Sequence, residues 1–193
     1  MTVHRIRYKS TSCYFLVVSS GILAFDAGWP GTFGAYRDAM KQEGLRPADI
    51  RWLLVSHFHM DHAGLAGLLV ERGVEFAVFP NQLPFIGAME RLISGKEAGY
   101  TPIDPNRTTR LELSGSRSWL ADRGISGEVI PTDGHGADHV SLVLDSGEAF
   151  IGDLAPLSSI GPEDEASRKN WQTLRTMGAR QIYPAHAEPF LLN

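Results

Sequence analysis

The chain has 193 residues, 43% of them hydrophobic and 21% charged, which is the composition of an ordinary globular protein with a sizeable core. The formal net charge of −4 gives no overall attraction for nucleic acid or an anionic membrane surface, and no apolar stretch approaches the about 20 residues of a membrane span. Because no secretory signal pattern is present and the one cysteine, Cys13, cannot form an internal disulfide, we expect a single cytoplasmic domain over residues 1–193 that binds neither nucleic acid nor membranes.

The first part of the chain predicts strands followed by helices. A hairpin is expected over residues 13–26, with its turn at 19–21. Residues 33–43 predict a helix that ends before a glycine, the residue favoured just beyond helix ends. The apolar run at 52–55 predicts a buried strand, and residues 63–70 predict the start of a helix.

The middle of the chain is the least regular. Residues 81–94 predict a helix that is interrupted near Pro84, and a loop follows it. This helix would expose three apolar side chains, those of Phe85, Ile86 and Met89. The segment 81–117 is expected either to form a wall of the substrate pocket or to be a surface excursion with a small apolar cluster of its own.

The last part predicts a second hairpin over residues 140–153 and a helix over 163–177, with Pro162 in the first turn of that helix. Apolar residues recur at every third position of the helix, which predicts a stripe that faces the core. They are Trp171, Leu174 and Met177. Strands that alternate with helices indicate a layered α/β domain.

Three histidines and one aspartate lie within six residues, directly after the predicted strand at 52–55. They are His57, His59, Asp61 and His62, in the spacing H-x-H-x-D-H. Burying imidazoles and carboxylates this close together is unfavourable unless a cation lies between them, so the cluster predicts a metal site. His57 and His59 are two residues apart and face one side, whereas Asp61 and His62 are adjacent. We therefore expect two neighbouring metals, one for each pair.

Each predicted metal needs further ligands, since zinc-type sites use about four. Three candidates follow the ends of short predicted strands later in the chain: His135, Asp153 and His186. In layered α/β folds, sites form where the carboxyl ends of strands meet, so we expect these three residues beside the cluster.

The full pattern resembles the metallo-β-lactamase superfamily of metallo-hydrolases, over roughly residues 12–190. The H-x-H-x-D-H signature is complete, the three later ligands follow in order, and Phe25-Asp26-Ala27-Gly28 is similar to the family's Asp-x-Gly element. The resemblance implies a four-layer αββα sandwich with a dinuclear metal site at one edge between the two sheets.

The resemblance also implies how the ligands divide. It assigns His57, His59 and His135 to the first metal, Asp61, His62 and His186 to the second, and Asp153 to a bridge between them. The ligands suit zinc, iron or manganese, and zinc is the first choice because imidazole favours it.

Residues near the ligands are expected to orient them. Metal-bound imidazoles usually donate their second N–H to a neighbouring oxygen, and Asp26, Ser56 and Asp133 are available for this. His139 is similar in position to a non-ligand histidine of glyoxalase II-like members, and we expect it to orient a ligand rather than to bind metal.

The expected chemistry is hydrolysis. Two metals about 3.5–4 Å apart can share a water and lower its pKa from about 15.7 towards roughly 7, so that a bridging hydroxide attacks a carbonyl. Asp61 and Asp153 are then the catalytic carboxylates.

A small ester, thioester or lactone is the expected substrate, and Phe85, Met89 and Tyr100 are the expected contacts. Glyoxalase II and quorum-quenching lactonases have similar ligand patterns. However, the chain ends seven residues after His186, which disfavours the glutathione-binding helical region of glyoxalase II. The alternatives are a mononuclear iron oxygenase or persulfide dioxygenase on the same fold, and a phosphodiesterase or nuclease. The sequence predicts no oligomeric state.

Overall fold

The computed structural model describes residues 1–93 and 95–192, and within them two β-sheets lie face to face. The strands of the first sheet are β1 (Thr2–Tyr8), β2 (Thr11–Val18), β3 (Gly21–Phe25), β4 (Ile50–Leu54), β5 (Glu75–Val78) and β6 (Thr109–Arg110), side by side in that order. The pairs β1–β2 and β2–β3 are antiparallel, and the pairs from β3 to β6 are parallel.

The strands of the second sheet are β7 (Gly127–Pro131), β8 (Val140–Leu144), β9 (Glu148–Gly152), β10 (Gln181–Pro184) and β11 (Phe190–Leu191). Their spatial order is β11-β10-β9-β8-β7, and only the β9–β10 pair is parallel among these. The helices are α1 (Phe33–Gln42), α2 (Met60–Ala63), α3 (Ala66–Glu71), α4 (Leu83–Ile93), α5 (Ser116–Ala121) and α6 (Glu165–Thr176). No helix in the described ranges is long and apolar enough to cross a membrane.

Three apolar clusters hold four layers together. Strand β2 shows how, because successive side chains of a strand point to opposite faces. Phe15 packs with α1, α3 and α4 on the outer face of the first sheet, whereas Tyr14 packs against Phe150 in the cluster between the two sheets. A third cluster joins the outer face of the second sheet to Trp171 and Leu174 of α6. The layers therefore run helix, sheet, sheet, helix, and the predicted αββα sandwich is confirmed.

Both predicted hairpins are present, as β2–β3 and β8–β9. The first predicted helix, α1, is also confirmed, and Gly44 follows it with φ 73°. The helix predicted to start near residue 63 is instead two short helices, α2 and α3, separated at Gly64. There the Gly64 N–H donates to the Gly28 carbonyl, and a Cβ would lie 2.3 Å from Pro30 N. The close approach of these two loops explains the break.

The expectations for residues 81–94 and 163–177 need correction. Pro84 is the second residue of α4 and does not interrupt it, because the first turn of a helix needs no N–H from that position. Ile86 and Met89 are only 2% exposed, since they face the core of the first sheet rather than solvent. The predicted end of this helix at residue 94 lies outside the described residues. Helix α6 begins at Glu165, so Pro162 precedes its first turn, and Asp164 caps it by accepting the Ser167 N–H.

Candidate metal centre

The centre lies where the carboxyl ends of strands from both sheets meet. The loop after β4 carries the H-x-H-x-D-H cluster. The second sheet supplies His135 after β7, Asp153 after β9 and His186 after β10. The structure thus brings all seven predicted ligands to one edge, and their donor atoms fall into two groups.

The first donor group contains His57, His59, His135 and Asp153, whose donor atoms all lie within 4.8 Å of one another. His59 Nδ1 lies 2.9 Å from His57 Nε2 and 3.4 Å from His135 Nε2. Asp153 Oδ2 lies 3.8 Å from His57 Nε2 and 3.7 Å from His135 Nε2. Three imidazoles and one carboxylate therefore converge on one point.

The second donor group contains Asp61, His62 and His186. Asp61 Oδ2 lies 3.5 Å from His62 Nε2 and 3.3 Å from His186 Nε2. The other oxygen of Asp153, Oδ1, lies 3.2 Å from both of these histidine nitrogens. The two carboxylate oxygens of Asp153 therefore face different donor groups.

The donor sets fit divalent cations. Zinc–nitrogen bonds of about 2.0–2.1 Å in a tetrahedral site place the ligand atoms about 3.4 Å apart, and most of the separations between donors are close to this value. In addition, His62 Nε2 and Asp153 Oδ1 are both buried, and neither has a hydrogen-bond partner among the described residues. Buried polar atoms are rarely left in this state, so a bound cation accounts for both of them.

Burial and neighbouring charges set the protonation of the histidines. Burial, with the neighbouring His62, lowers the pKa of His57 far below its ordinary value of 6.5, so His57 is neutral and can offer a lone pair. Burial opposes protonation of His62 as well, but the Asp26 and Asp153 carboxylates raise its pKa to about 10. Burial also raises the pKa of Asp153, yet the His62 imidazolium, 3.2 Å from Asp153 Oδ1, outweighs this effect and brings the pKa down to about 2. In the absence of metal, the His62 proton supplies the positive charge that these carboxylates attract.

Asp26 and Ser56 form hydrogen bonds to the Nδ1 atoms of His57 and His62, on the side of each ring away from the donor nitrogen. Asp26 Oδ1 accepts the Ser56 N–H at 2.7 Å, and Oδ2 accepts from the Ser56 hydroxyl at 3.1 Å and from His62 Nδ1 at 2.9 Å. Ser56 Oγ lies 3.0 Å from His57 Nδ1. Asp26 has φ 67°, a strained conformation for a residue with a side chain, and these hydrogen bonds hold it there. With Nδ1 of His62 committed to Asp26, Nε2 is the nitrogen that faces the second donor group.

His139 packs beside the rings of His57 and His135, and its Nε2 bonds the backbone of Asp153. The Asp153 N–H donates to His139 Nε2 at 3.1 Å, and His139 Nδ1 lies 2.8 Å from Thr132 Oγ1, which in turn contacts Ser141 Oγ at 2.8 Å. Burial, with His135 and His62 nearby, lowers the pKa of His139 to about 3. A neutral His139 can accept the Asp153 N–H.

Other supporting contacts could not be found in the sequence. The Thr11 hydroxyl donates to Asp61 Oδ2 at 2.8 Å, and His186 Nδ1 lies 2.8 Å from the Ser10 carbonyl oxygen. Asp133, which was expected near the ligands, is exposed, whereas Asp138 Oδ2 accepts the Phe58 N–H at 2.7 Å and so shapes the ligand loop. The spacing of three residues between His135 and Asp138 is a weak signal, and the β1–β2 turn gives none.

Two cavities adjoin the donor groups. The first, of about 330 Å³, is lined by the donor residues His135, Asp153 and His186, and its other walls include Leu154, Pro156, Trp171 and Phe190. The second, of about 270 Å³, is lined by Phe58, His59, Met60, Asp61, Met89, Leu92 and Ile93. Three of the residues that line the second cavity, Met89, Leu92 and Ile93, belong to the segment 81–117.

The three expected substrate contacts lie in different places. Met89 lines the second cavity. Phe85 packs against the core of the first sheet, as does Tyr100, whose hydroxyl donates to Glu90 Oε1 at 2.5 Å. Tyr100 thus holds the segment 81–117 together from within.

This fold, together with the two donor groups, agrees with one known superfamily of proteins. The family model described as the metallo-beta-lactamase superfamily matches residues 7–186, and the chain belongs to this family. The expected resemblance is confirmed.

Individual relatives are distant. The probable metallo-hydrolase YflN of Bacillus subtilis (strain 168) is 23% identical over 165 residues, which cover 77% of this chain and 62% of that protein. The chain therefore spans less than two thirds of the length of this relative.

Solved structures share the fold. The metallo-beta-lactamase family protein TTHA1429 from Thermus thermophilus has a TM-score of 0.69 and 21% identity, with 98% of this chain and 74% of that chain covered. BJP-1, a subclass B3 metallo-beta-lactamase of Bradyrhizobium japonicum, has a TM-score of 0.68 and 19% identity, with 95% and 74% covered.

Proposed function

We propose that this protein is a dinuclear metal-dependent hydrolase that cleaves a small ester, thioester or lactone. The observation that carries the proposal is the placement of Asp153, whose two carboxylate oxygens face separate donor groups at 3.2–3.8 Å. A carboxylate in this position can serve two cations at once. The complete second group, Asp61, His62 and His186, also favours a hydrolase over a mononuclear iron oxygenase, which would not need it.

Each donor group would hold one divalent cation, and zinc suits the histidine-rich set best. When bound, such a pair supplies Lewis acidity and lowers the pKa of a water towards about 7. The chain's own residues fix the donors. Ser56 and Asp26 bind the far nitrogens of His57 and His62, the Ser10 carbonyl binds that of His186, and His139 holds the Asp153 backbone.

The proposed reaction adds one water across an acyl bond. A C–O bond forms between the water oxygen and the carbonyl carbon, the C–O or C–S bond to the leaving group breaks, and a proton passes to the departing oxygen or sulfur. Asp61 would hold that proton, and the Thr11 hydroxyl, which donates to Oδ2, would keep its carboxylate oriented. Asp153 is less suited to this role because its pKa is lowered to about 2.

The test combines metal analysis with a substrate panel. Protein reconstituted with excess zinc should hold two metals per chain and should hydrolyse at least one substrate among simple esters, thioesters and lactones. His186→Ala should reduce the metal content by about one per chain and lower turnover. His4→Ala is the matched control, because His4 lies on β1 and contacts Glu43 instead of a donor group.

Two results would contradict the proposal. One is a single tightly held metal in the unmodified protein under excess zinc. The other is full metal loading with no hydrolysis of any ester, thioester or lactone. Binding of one iron with oxygen consumption would favour the oxygenase alternative, and cleavage of phosphodiesters alone would favour a nuclease.

A further inference from the structure

If the proposed hydrolase function holds, the side chains that line the two cavities indicate which substrates the protein prefers. We propose that the preferred substrate is an uncharged, open-chain ester or thioester with an apolar group on each side of the scissile carbonyl. One apolar group occupies the first cavity and the other occupies the second, with the carbonyl over the donor groups between them.

The first cavity offers one apolar subsite. Apart from the three donor residues, its walls are built mainly from aliphatic and aromatic side chains. Phe190 is 37% exposed at the rim, and Trp171 is buried with its indole N–H committed to the Ala155 carbonyl. Because that polar atom is satisfied, the ring presents an apolar surface to the cavity. This subsite favours an alkyl or aryl group.

The second cavity offers another apolar subsite. Apart from His59 and Asp61, its lining consists of Phe58, Met60, Met89, Leu92 and Ile93. Leu92 of α4 is 65% exposed. A ligand in the cavity would cover part of this side chain. Methionine side chains adapt to different shapes, so this subsite suits a flexible alkyl group.

The two cavities meet at the donor groups. His135, which lines the first cavity, lies 3.4 Å from His59 in the second, measured from Nε2 to Nδ1. His186, which lines the first, lies 3.3 Å from Asp61 Oδ2 in the second. A carbonyl placed over the donor atoms can therefore extend a substituent into each cavity. A lactone ring joins both sides of its carbonyl and cannot separate them in this way.

The absence of cationic side chains from the described walls of both cavities favours an uncharged substrate. Among the described residues that line the two cavities, none carries an ammonium or guanidinium group that could pair with a carboxylate. The cation closest in sequence to the Ser10 and Thr11 contacts is Lys9, whose Nζ lies over the Trp29 ring, 5.1 Å from its centroid. Lys9 is not a wall residue of either cavity. A substrate carboxylate in either subsite would lose its hydration without gaining a partner.

The experiment uses the zinc-loaded protein and a matrix of esters and thioesters in which the acyl and leaving groups are lengthened independently. Each CH₂ that enters an apolar cavity should raise kcat/KM by about fourfold, on both sides of the carbonyl, until the cavity is full. Replacing the terminal methyl of either chain with a carboxylate should lower kcat/KM by at least about tenfold. Phe190→Ala should flatten the dependence on one chain only, and Leu92→Ala should flatten the dependence on the other.

Leu191→Ala is the matched control for both variants. Leu191 is 68% exposed, close to the 65% of Leu92, and it follows Phe190 in β11 but lines neither cavity. This variant should retain both chain-length dependences. Metal content should remain unchanged in all three variants, which separates an effect on the subsites from an effect on the donor groups.

Several outcomes would overturn the inference while the hydrolase function stands. Hydrolysis of lactones in strong preference to all open-chain esters is one. A second is that Phe190→Ala and Leu92→Ala both flatten the dependence of kcat/KM on the length of the same substrate chain, either the acyl chain or the leaving group. A third is a preference for the carboxylate-bearing substrates, and its loss in Lys9→Ala would then identify the cation responsible. Absence of any acyl hydrolysis would instead contradict the proposed function itself.

Discussion

Asp26→Asn tests how the protein keeps His62 ready for a metal. The native carboxylate accepts from His62 Nδ1, so that the Nε2 lone pair is directed at the second donor group. Asparagine tolerates the left-handed backbone at φ 67° and retains one oxygen for the Ser56 N–H. Its amide NH₂, however, would point at His62 Nδ1 and donate to it. The proton of a neutral His62 would then move to Nε2, where it blocks metal binding.

Asp26→Asn should therefore lower both the stability of the metal-free protein and the affinity of the second metal site. Weakening one charge-assisted hydrogen bond to a buried carboxylate costs about 1.5–3 kcal/mol of unfolding free energy in the metal-free protein. Loss of the orienting acceptor should weaken the second metal site by about 10–100-fold, or roughly 1.4–2.7 kcal/mol of binding free energy. The first site should weaken less than the second, because Asp26 Oδ2 contacts His62 directly but reaches His57 only through the Ser56 hydroxyl.

Urea unfolding of the metal-free protein and zinc titration against a competing chelator measure these two quantities. Asp38→Asn is the control, because Asp38 is exposed and pairs with Arg37 on the surface. The reasoning is wrong if Asp26→Asn binds two zinc ions with native affinity, or if both sites weaken equally. Equal weakening would mean that Asp26 supports the general shape of the site and not the tautomer of His62.

Further predictions concern pH, orientation and backbone space. Without metal, the free energy of unfolding should rise between about pH 3 and 6.5, because His139 binds a proton in the unfolded state but not in the folded state. It should fall between about pH 6.5 and 10, because His62 keeps its proton in the folded state only. Urea titrations at each pH would show a maximum of stability near about pH 6.5. His139→Ala should retain most of the metal but lose about 10–100-fold in turnover, with partial rescue in His139→Gln; metal loss as complete as in His135→Ala would make His139 a ligand. Gly152→Ala should lower the free energy of unfolding by about 1–3 kcal/mol and displace Asp153, because φ is 50° and the new Cβ would lie 2.5 Å from Ser56 Cβ. Gly161→Ala is the control, because nothing lies within 4 Å of its new Cβ, and thermal unfolding should show little change in its stability.

The metal donors could be predicted from the sequence because their signal is local. Four of them lie within six residues, and each later donor directly follows a strand that the apolar pattern reveals. The hairpins and the core-facing stripe of α6 follow from short-range periodicity in the same way. The layer order came from the family resemblance, and the three apolar clusters account for it physically.

The supporting contacts of the donors and the walls of the first cavity could not be predicted, because they join parts of the chain that are distant in sequence. Thr11 and Asp61 are separated by 50 positions, and Ser10 and His186 by 176, so no local pattern indicates that they meet. The segment 81–117 was expected to form either a pocket wall or a surface excursion, and its residues Met89, Leu92 and Ile93 line the second cavity. In the structure, Glu90 binds both the Tyr100 hydroxyl and the Ile103 N–H, which ties the segment to itself. The walls of the first cavity combine the ends of β9 and β10 and the loops after them with Phe190 of β11 and Trp171 of α6, and Trp171 also belongs to the core.

The donor groups draw residues from both sheets, and this has a consequence for folding. His59 and His135, which share the first group, are 76 positions apart. A cation held between them would close a long loop and fasten the two halves of the sandwich to each other, in the manner of a cross-link. Since such a cation binds the native state and not the separated halves, the resistance of the protein to unfolding should increase with the concentration of free metal. Metal supply in the cell would then govern the lifetime of the folded chain as well as its activity, and starvation for metal would expose the inner faces of both sheets.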